Sequence, residues 1–425
     1  MLSEQSAATV RATLPAVGAA IGEITERFYA GLFAAHPDLL RDLFNRGNQA
    51  AGTQRQALAG SIAAFATRLV EPAPDHPQDH DHVESRPQDR PHDRPQDRPQ
   101  DRPQDRPDAM LARIAHKHAS LGIAPEQYKV VHEHLFAAIA DVLGEAVTPE
   151  VAAAWDEVYW LMANALIAIE RRLYEESGGD AWREWEVVER VRETEDVVTF
   201  GLRPVDGAPV RDFRAGQYVS VRAELPDGAR QIRQYSLSGA PGADVRRISV
   251  KRVPGGVTTP EGEVSNHLHA CVREGSVLEL SEPYGDLVLD DAVGTPLLLA
   301  SAGIGVTPIV AMLAHLAATG HEAPVTVVHA DRSPADHALR TDHEAYAAKL
   351  PDASVHLWYE REAPAHARTG LADLADVPVA PGTRAYLCGP LPFMRAVRAQ
   401  LIAKGVAPAD VHYEVFGPDL WLART

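Results

Sequence analysis

Between Val151 and Leu173 the apolar residues Val151, Ala154, Trp155, Val158, Leu161, Met162, Ala165, Leu166, Ile169 and Leu173 recur mostly at spacings of three and four. That period predicts one long amphipathic helix with a continuous apolar stripe. Similar patterns cover Ile21 to Phe33, Gln54 to Leu69 and Gln127 to Leu143, so the first block reads as helical to about Tyr174. Gly178, Gly179 and Asp180 end it. From Trp185 the period shortens. Short β-branched, partly alternating runs such as QYVSVRAEL, RQYSLS and RRISVKRV continue to about Leu289 and predict antiparallel strands. From Pro296 the apolar runs LLLA, VTVVHA, VHLWYE and AYLCG alternate with helical stretches, which predicts a parallel sheet with crossover helices. Three domains follow, at 1–178, 182–291 and 294–425.

One stretch fits none of these patterns. From about Asp75 to Asp108 the chain repeats Arg-Pro-Gln-Asp with a period of four, with His92 in place of one Gln. Seven prolines and a single aliphatic residue, Val83, cannot build a core, so a solvated tether inside the first domain is expected. His76, His80 and His82 offer metal-binding nitrogens there, against the plainer reading of an exposed polar tract.

Composition narrows the function classes. The chain has 425 residues and a net charge of −18, which argues against a general basic face for nucleic acid. Its two cysteines, Cys271 and Cys388, are too few for a disulfide scaffold or a Cys-ligated cluster. No basic segment followed by an apolar core opens the chain, and no apolar run reaches 18 residues. A cytoplasmic protein without a membrane span is expected, and a monomer.

Candidate chemistry begins at Arg233-Gln-Tyr-Ser-Leu-Ser238. A flavin needs a cation near its pyrophosphate, a ring against its isoalloxazine and small polar groups near its reactive nitrogen. Alternation puts Arg233 and Tyr235 on one face of the strand. RAGQY, ending at Tyr218, precedes this motif, and Gly262-Glu-Val-Ser-Asn266 opens a helix after it. Helix-start amides suit a phosphate. LLLASAGIGVTP then runs a buried strand into Gly303-Ile304-Gly305-Val306-Thr307-Pro308 and a helix, with glycines that let the backbone approach a pyrophosphate. Pro308 stands where a dinucleotide fingerprint has a third glycine. Cys388-Gly389-Pro390 ends a later strand, and Cys388 reads either as a site neighbour or as a buried strand cysteine.

In this order the motifs resemble the ferredoxin–NADP reductase superfamily, from Trp185 to the C-terminus. The resemblance implies an antiparallel β-barrel that binds FAD through Tyr218, Arg233, Gln234, Tyr235, Ser236 and Ser265. It implies an α/β domain for NAD(P)H, with Gly303 to Pro308 and Cys388 to Pro390 at the nucleotide. It also implies a flavin cover at Glu414, Val415, Phe416, Gly417 and Pro418, although this chain runs seven residues past Pro418. Asp331, Arg332 and Ser333 send mixed signals between NADH and NADPH, since Arg or Ser suits a 2′-phosphate and Asp repels it.

Nineteen histidines make a ligand choice from the residues alone weak, with His116, His118, His132 and His134 all on helical segments. FYAGLF, LFNRGNQ, RIAHKHASLGI and PEQY, in that order, resemble the globin of bacterial flavohaemoglobins. That resemblance implies haem b on a proximal His118 beside Lys117, a distal Tyr29 and Gln54 with Leu58 and Phe44 at the haem, and Tyr128 with Glu170 behind the proximal histidine. Glu170 alone reads either as an exposed charge or as an inward edge of the stripe. The insertion stretches Gln54 to His118 to 64 positions, about twice the family interval. The whole resemblance implies nitric oxide dioxygenase activity, with NO, O2 and NAD(P)H as small-molecule partners. Two alternatives stay open: an oxygen sensor or store kept ferrous by its reductase, and a reductase for a separate acceptor.

Overall fold

The computed structural model describes residues 2–70, 107–179, 182–256, 259–290 and 294–418. The repeat insertion lies outside the described residues except for Pro107 and Asp108, which open a helix. His76, His80, His82 and His92 of the insertion and the seven residues after Pro418 lie outside them as well.

The first domain is helical: α1 (Glu4–Ala35), α2 (Pro37–Asp42), α3 (Arg46–Ala50), α4 (Thr53–Val70), α5 (Pro107–Leu121), α6 (Pro125–Leu143) and α7 (Pro149–Ser177). Helix α1 buries Val10, Val17, Ile24, Phe28 and Leu32 along one face. These meet Phe65 of α4, Leu135 and Ile139 of α6, and Trp155, Val158 and Leu166 of α7. Ser3 caps α1 by accepting from Ser6, and its own amide and hydroxyl donate to Glu157 of α7. Helix α7 ends where Gly178 takes the left-handed conformation that a Cβ disfavours.

The second domain joins β1 (Arg183–Arg192), β2 (Val197–Pro204), β3 (Tyr218–Glu224), β4 (Arg230–Ser236), β5 (Arg246–Lys251) and β6 (Val277–Leu280), with helix α8 (Glu263–Cys271) before the last strand. The order β4-β3-β6-β1-β2-β5 is antiparallel. Its two edges meet through a Leu237–Ile248 bridge and a bond from Ser238 N–H to Arg247 O at 2.9 Å, which closes the sheet into a barrel. Trp185, Phe200, Leu202, Leu237 and Ile248 fill it.

The third domain is a six-stranded parallel sheet: β7 (Leu297–Ala302), β8 (Val325–Asp331), β9 (Ala353–Tyr359), β10 (Arg368–Thr369), β11 (Arg384–Cys388) and β12 (Val411–Glu414), ordered β10-β9-β8-β7-β11-β12. Helices α9 (Val306–Thr319), α10 (Arg340–Ala347) and α11 (Leu391–Ala403) make the crossovers. Two strands differ from expectation. β10 is only two residues long, and β12 lies in a segment whose aromatic and Gly-Pro residues carry no alternation.

Under the C-terminal ends of β7, β8 and β9 sits a stack of buried histidines. The rings of His329 and His337 are 3.8 Å apart, and His343 lies 5.6 and 5.3 Å from them. Ser301 Oγ lies 2.9 Å from His329 Nδ1, and Tyr359 OH lies 2.9 Å from His337 Nδ1. Burial holds all three imidazoles below their usual range, His343 at about 4. Asp331, 3.6 Å from His329, is pushed up to about 6 by the same burial. As pH falls below about 6.5, unfolded histidines bind protons that the native stack refuses, so stability falls; between about 6 and 3.8 Asp331 binds its proton first in the native state and offsets one of the three. The net expectation is a loss of roughly 2–3 kcal/mol per pH unit between pH 6 and pH 4. Denaturant midpoints of the reductase half at pH 7 and pH 5 check this. Equal midpoints would mean that the stack protonates without unfolding.

Candidate functional site

Helix α5 carries His118 toward the interior of the helical domain. Its Nδ1 lies 2.9 Å from Tyr128 OH and 2.9 Å from Glu170 Oε1. Tyr128 donates to Glu170 Oε1 at 2.5 Å, and burial with the neighbouring carboxylate pushes its phenol well up. A carboxylate cannot donate and the Tyr128 proton is already committed, so Nδ1 carries the imidazole proton. Nε2 therefore presents a lone pair, the form a metal takes. Glu170 is 2% exposed, inward of the α7 stripe. The other histidines are engaged elsewhere. His116 Nδ1 accepts from Gly285 N–H at 3.1 Å, His132 Nε2 lies 2.7 Å from Asp156, and His134 packs against His36.

Tyr29 of α1 is buried, with the side chains of Gln54 on α4 and Gln49 on α3 beside its hydroxyl. Burial pushes this phenol up, so it stays a donor. Gln49 was not singled out by sequence; its only signal was its place in LFNRGNQ. Its Nε2 is buried without a partner, an orphaned donor that a ligand in the pocket would satisfy. Phe44 stands edge-on to Tyr29 at 5.9 Å and to Phe33 at 5.3 Å. Leu58 packs into the same core one turn beyond Gln54. A lone pair on His118 Nε2, together with a buried phenol and the amides beside it, fits a haem, which needs only one protein ligand. Among the described residues no group of three or more His, Cys, Asp or Glu could hold a metal ion by itself.

The same helix faces the barrel. Tyr218 of β3 packs with Tyr284 against Ala119, with Ser120 beside its hydroxyl. Lys117 Nζ donates to Gly417 O, and Arg113 donates to Tyr413 OH at 3.2 Å with its guanidinium 4.6 Å over that ring. Arg113, His116, Lys117 and Ser120, spaced by three and four, form the reductase-facing side of α5. Burial first, and then the charge of Glu414, raises both Tyr218 and Cys388, and strand pairing sets Glu414 opposite Cys388 at the end of β12.

In the barrel, β3–β4 pairing sets Tyr218 opposite Ser236, Ser220 opposite Gln234 and Val221 opposite Arg233. The motif thus divides over two faces: Gln234 and Ser236 share one with Tyr218, while Arg233 and Tyr235 share the other with Val219 and Val221. Gln234 donates to Ser220 Oγ at 3.1 Å, and Arg233 donates to Ile232 O at 2.7 Å. Ser265 spends its hydroxyl locally, accepting from Val253 N–H and donating to Gly262 O, which ties the loop to the α8 start. Arg46 of α3 pairs with Asp227 and Glu263, a second link between the helical domain and the barrel.

In the third domain Gly303, Ile304 and Gly305 form a 3-10 turn into α9, where Val306, Thr307 and Pro308 are buried. Gly305 meets a constraint that the sequence did not show. A Cβ there would sit 2.2 Å from Cys388 O and 2.8 Å from Gly389 N, so this glycine lets two sheet-end loops touch. Cys388 is fully buried with its thiol pushed up by burial, the condition of an inert cysteine. Pro390 caps α11. Val415 is half-buried against the third-domain core, whereas Phe416 is 45% exposed beside Gly417 and Pro418.

A one-histidine pocket docked on a barrel and a nucleotide sheet defines a haem and flavin oxidoreductase driven by NAD(P)H. Family models agree: Globin matches residues 101–166, Oxidoreductase FAD-binding domain 184–288 and Oxidoreductase NAD-binding domain 299–399. The chain is 38% identical to a flavohemoprotein of Rhizobium meliloti (strain 1021), over 99% of this chain and 100% of the relative. It is 34% identical to a flavohemoprotein of Bacillus subtilis (strain 168), over the full length of both. A flavohemoglobin from Malassezia yamatoensis, solved with bound FAD and heme, superposes with a TM-score of 0.83 at 36% identity, over 98% of this chain and 100% of that one. The FAD/NAD-binding domain of a nitric oxide dioxygenase from Vibrio cholerae matches 56% of this chain and 99% of its own length, at 36% identity and a TM-score of 0.53. This chain belongs to the flavohaemoprotein family, and its cofactors are haem, FAD and NAD(P)H. Among the described residues no helix is long and apolar enough to cross a membrane.

Proposed function

We propose that this chain is a nitric oxide dioxygenase, in which electrons from NAD(P)H drive the oxidation of nitric oxide by O2 to nitrate. The observation that carries this reading is the double use of α5: the helix that holds His118 is also the helix gripping the reductase through Arg113, His116, Lys117 and Ser120. When bound, haem supplies an iron that takes single electrons and O2, and FAD divides a hydride's electron pair into those single electrons. Tyr128 and Glu170 hold the imidazole proton on Nδ1 and make His118 a more basic ligand. Tyr29 offers a hydroxyl to an oxygen that gains negative charge, with Gln54 and Gln49 orienting it. Phe28, Phe33 and Phe44 surround that phenol and keep water from it. Tyr218 of the barrel lies beside Ser120, and Arg113 and Lys117 bond the chain around the end of β12, so α5 holds the helical domain against the reductase. A reductase serving a separate acceptor has no use for this contact.

Anaerobic mixing of the holoprotein with NADH or NADPH tests the reading. Flavin bleaching should be followed by haem reduction at a rate independent of protein concentration. A haem that stays oxidised, or a rate that scales with concentration, contradicts transfer within one chain.

A further inference from the structure

Three groups suited to a 2′-phosphate stand just beyond the C-terminal end of β8. In doubly wound sheets the end of this strand meets the adenosine ribose, where an acid accepts from a 2′-hydroxyl or an arginine takes a 2′-phosphate. Here Arg332, Ser333 and Arg361 are all turned to one carboxylate. Arg332 Nη2 pairs with Asp336 Oδ1, Ser333 Oγ donates to Asp336 Oδ2 at 2.6 Å, and Arg361 lies 3.7 Å from the same oxygen. Arg332 also reaches Asp196 of the barrel at 3.2 Å, and Asp196 lies 3.6 Å from Lys251. Ser333 is buried, so its bond to Asp336 is shielded from water. Asp331, the last residue of the strand, adds a further carboxylate.

We propose that Asp336 is the residue that makes this protein selective for NADH over NADPH, by occupying the cations and the hydroxyl that a 2′-phosphate would need. The inference rests on the third domain being the NAD(P)H site and concerns only which of the two nucleotides it takes. A 2′-phosphate must displace Asp336 from Ser333 and Arg332 and bring its own charge among Asp196, Asp331 and Asp336. A 2′-hydroxyl displaces nothing. Arg332 is itself half exposed, which puts the expected discrimination at the lower end of the range for a charged hydrogen bond, about tenfold.

The test is flavin reduction in the FAD-loaded, full-length holoprotein, titrated with NADH and with NADPH. The unaltered protein should half-saturate with NADPH at a concentration about tenfold or more above that for NADH. Asp336→Ala should lower the NADPH value about tenfold and move the NADH value less than about twofold. Arg332→Ala alone should change the NADPH value less than about threefold, yet should abolish the gain when combined with Asp336→Ala. Equal use of both nucleotides by the unaltered protein overturns the proposal. So does a tenfold loss of NADPH affinity in Arg332→Ala alone, a result that can be read even if Asp336→Ala does not fold. If neither nucleotide reduces the flavin, the NAD(P)H site itself is misplaced and the proposal falls with it.

Discussion

Replacing His118 by alanine should leave a protein that keeps FAD and loses haem. The imidazole Nε2 is the lone pair left for a metal, because Nδ1 is committed to Tyr128 and Glu170. Loss of a supporting partner of this kind costs roughly 10- to 100-fold in metal affinity, so loss of the ligand should exceed about 100-fold. The residues proposed for the flavin, Tyr218, Tyr235 and Ser236, stand on barrel strands and not on α5. Haem titration of His118→Ala, read at the Soret band beside the flavin absorption, decides it. Normal haem affinity with unchanged ligation would force a different ligand, and His116 is badly placed for that because its Nδ1 is held by Gly285.

Tyr29→Phe should raise the O2 dissociation rate of the reduced holoprotein by about 10- to 150-fold, from the roughly 1.5–3 kcal/mol of a hydrogen bond to a charged acceptor. The ring and its contacts with Phe28, Phe33 and Phe44 stay, and only the donor goes. Flavin reduction should be unchanged, since no residue of that step touches Tyr29. Stopped-flow O2 release and flavin reduction on one preparation separate the two effects. An unchanged release rate would assign the role to Gln54 or Gln49. Equal slowing of flavin reduction would show that the halves do not act separately.

The helical frame was legible because long helices repeat their apolar stripe several times, as α7 does from Val151 to Leu173. Glu170 was ambiguous for a physical reason. It borders the stripe, and only the approach of α5 and α6 decides that it points inward to His118 and Tyr128. Tertiary geometry also hid Gln49, since α3 has five residues and too little length for a period. Strand alternation alone divided Arg233 and Tyr235 from Gln234 and Ser236; the β3–β4 register, invisible in sequence, adds that Tyr218 shares the face of Gln234 and Ser236. Gly305 carries a packing cause that the sequence did not show: a Cβ there would meet the Cys388 carbonyl. Asp336 carried no motif at all. Its meaning appears only when Arg332, Ser333 and Arg361 converge on it.

The central claim is that one chain moves electrons from a nicotinamide nucleotide to a haem that consumes nitric oxide. Aerobic turnover of the fully loaded protein, with NADH present and nitric oxide added in known amounts, tests it most directly when NO loss and nitrate gain are followed together. Sustained catalytic consumption is expected, with about one nitrate formed per nitric oxide, abolished in His118→Ala and slowed in Tyr29→Phe. Stable binding of O2 or NO with no nitrate formed would contradict it and leave an oxygen-binding globin with a reductase attached.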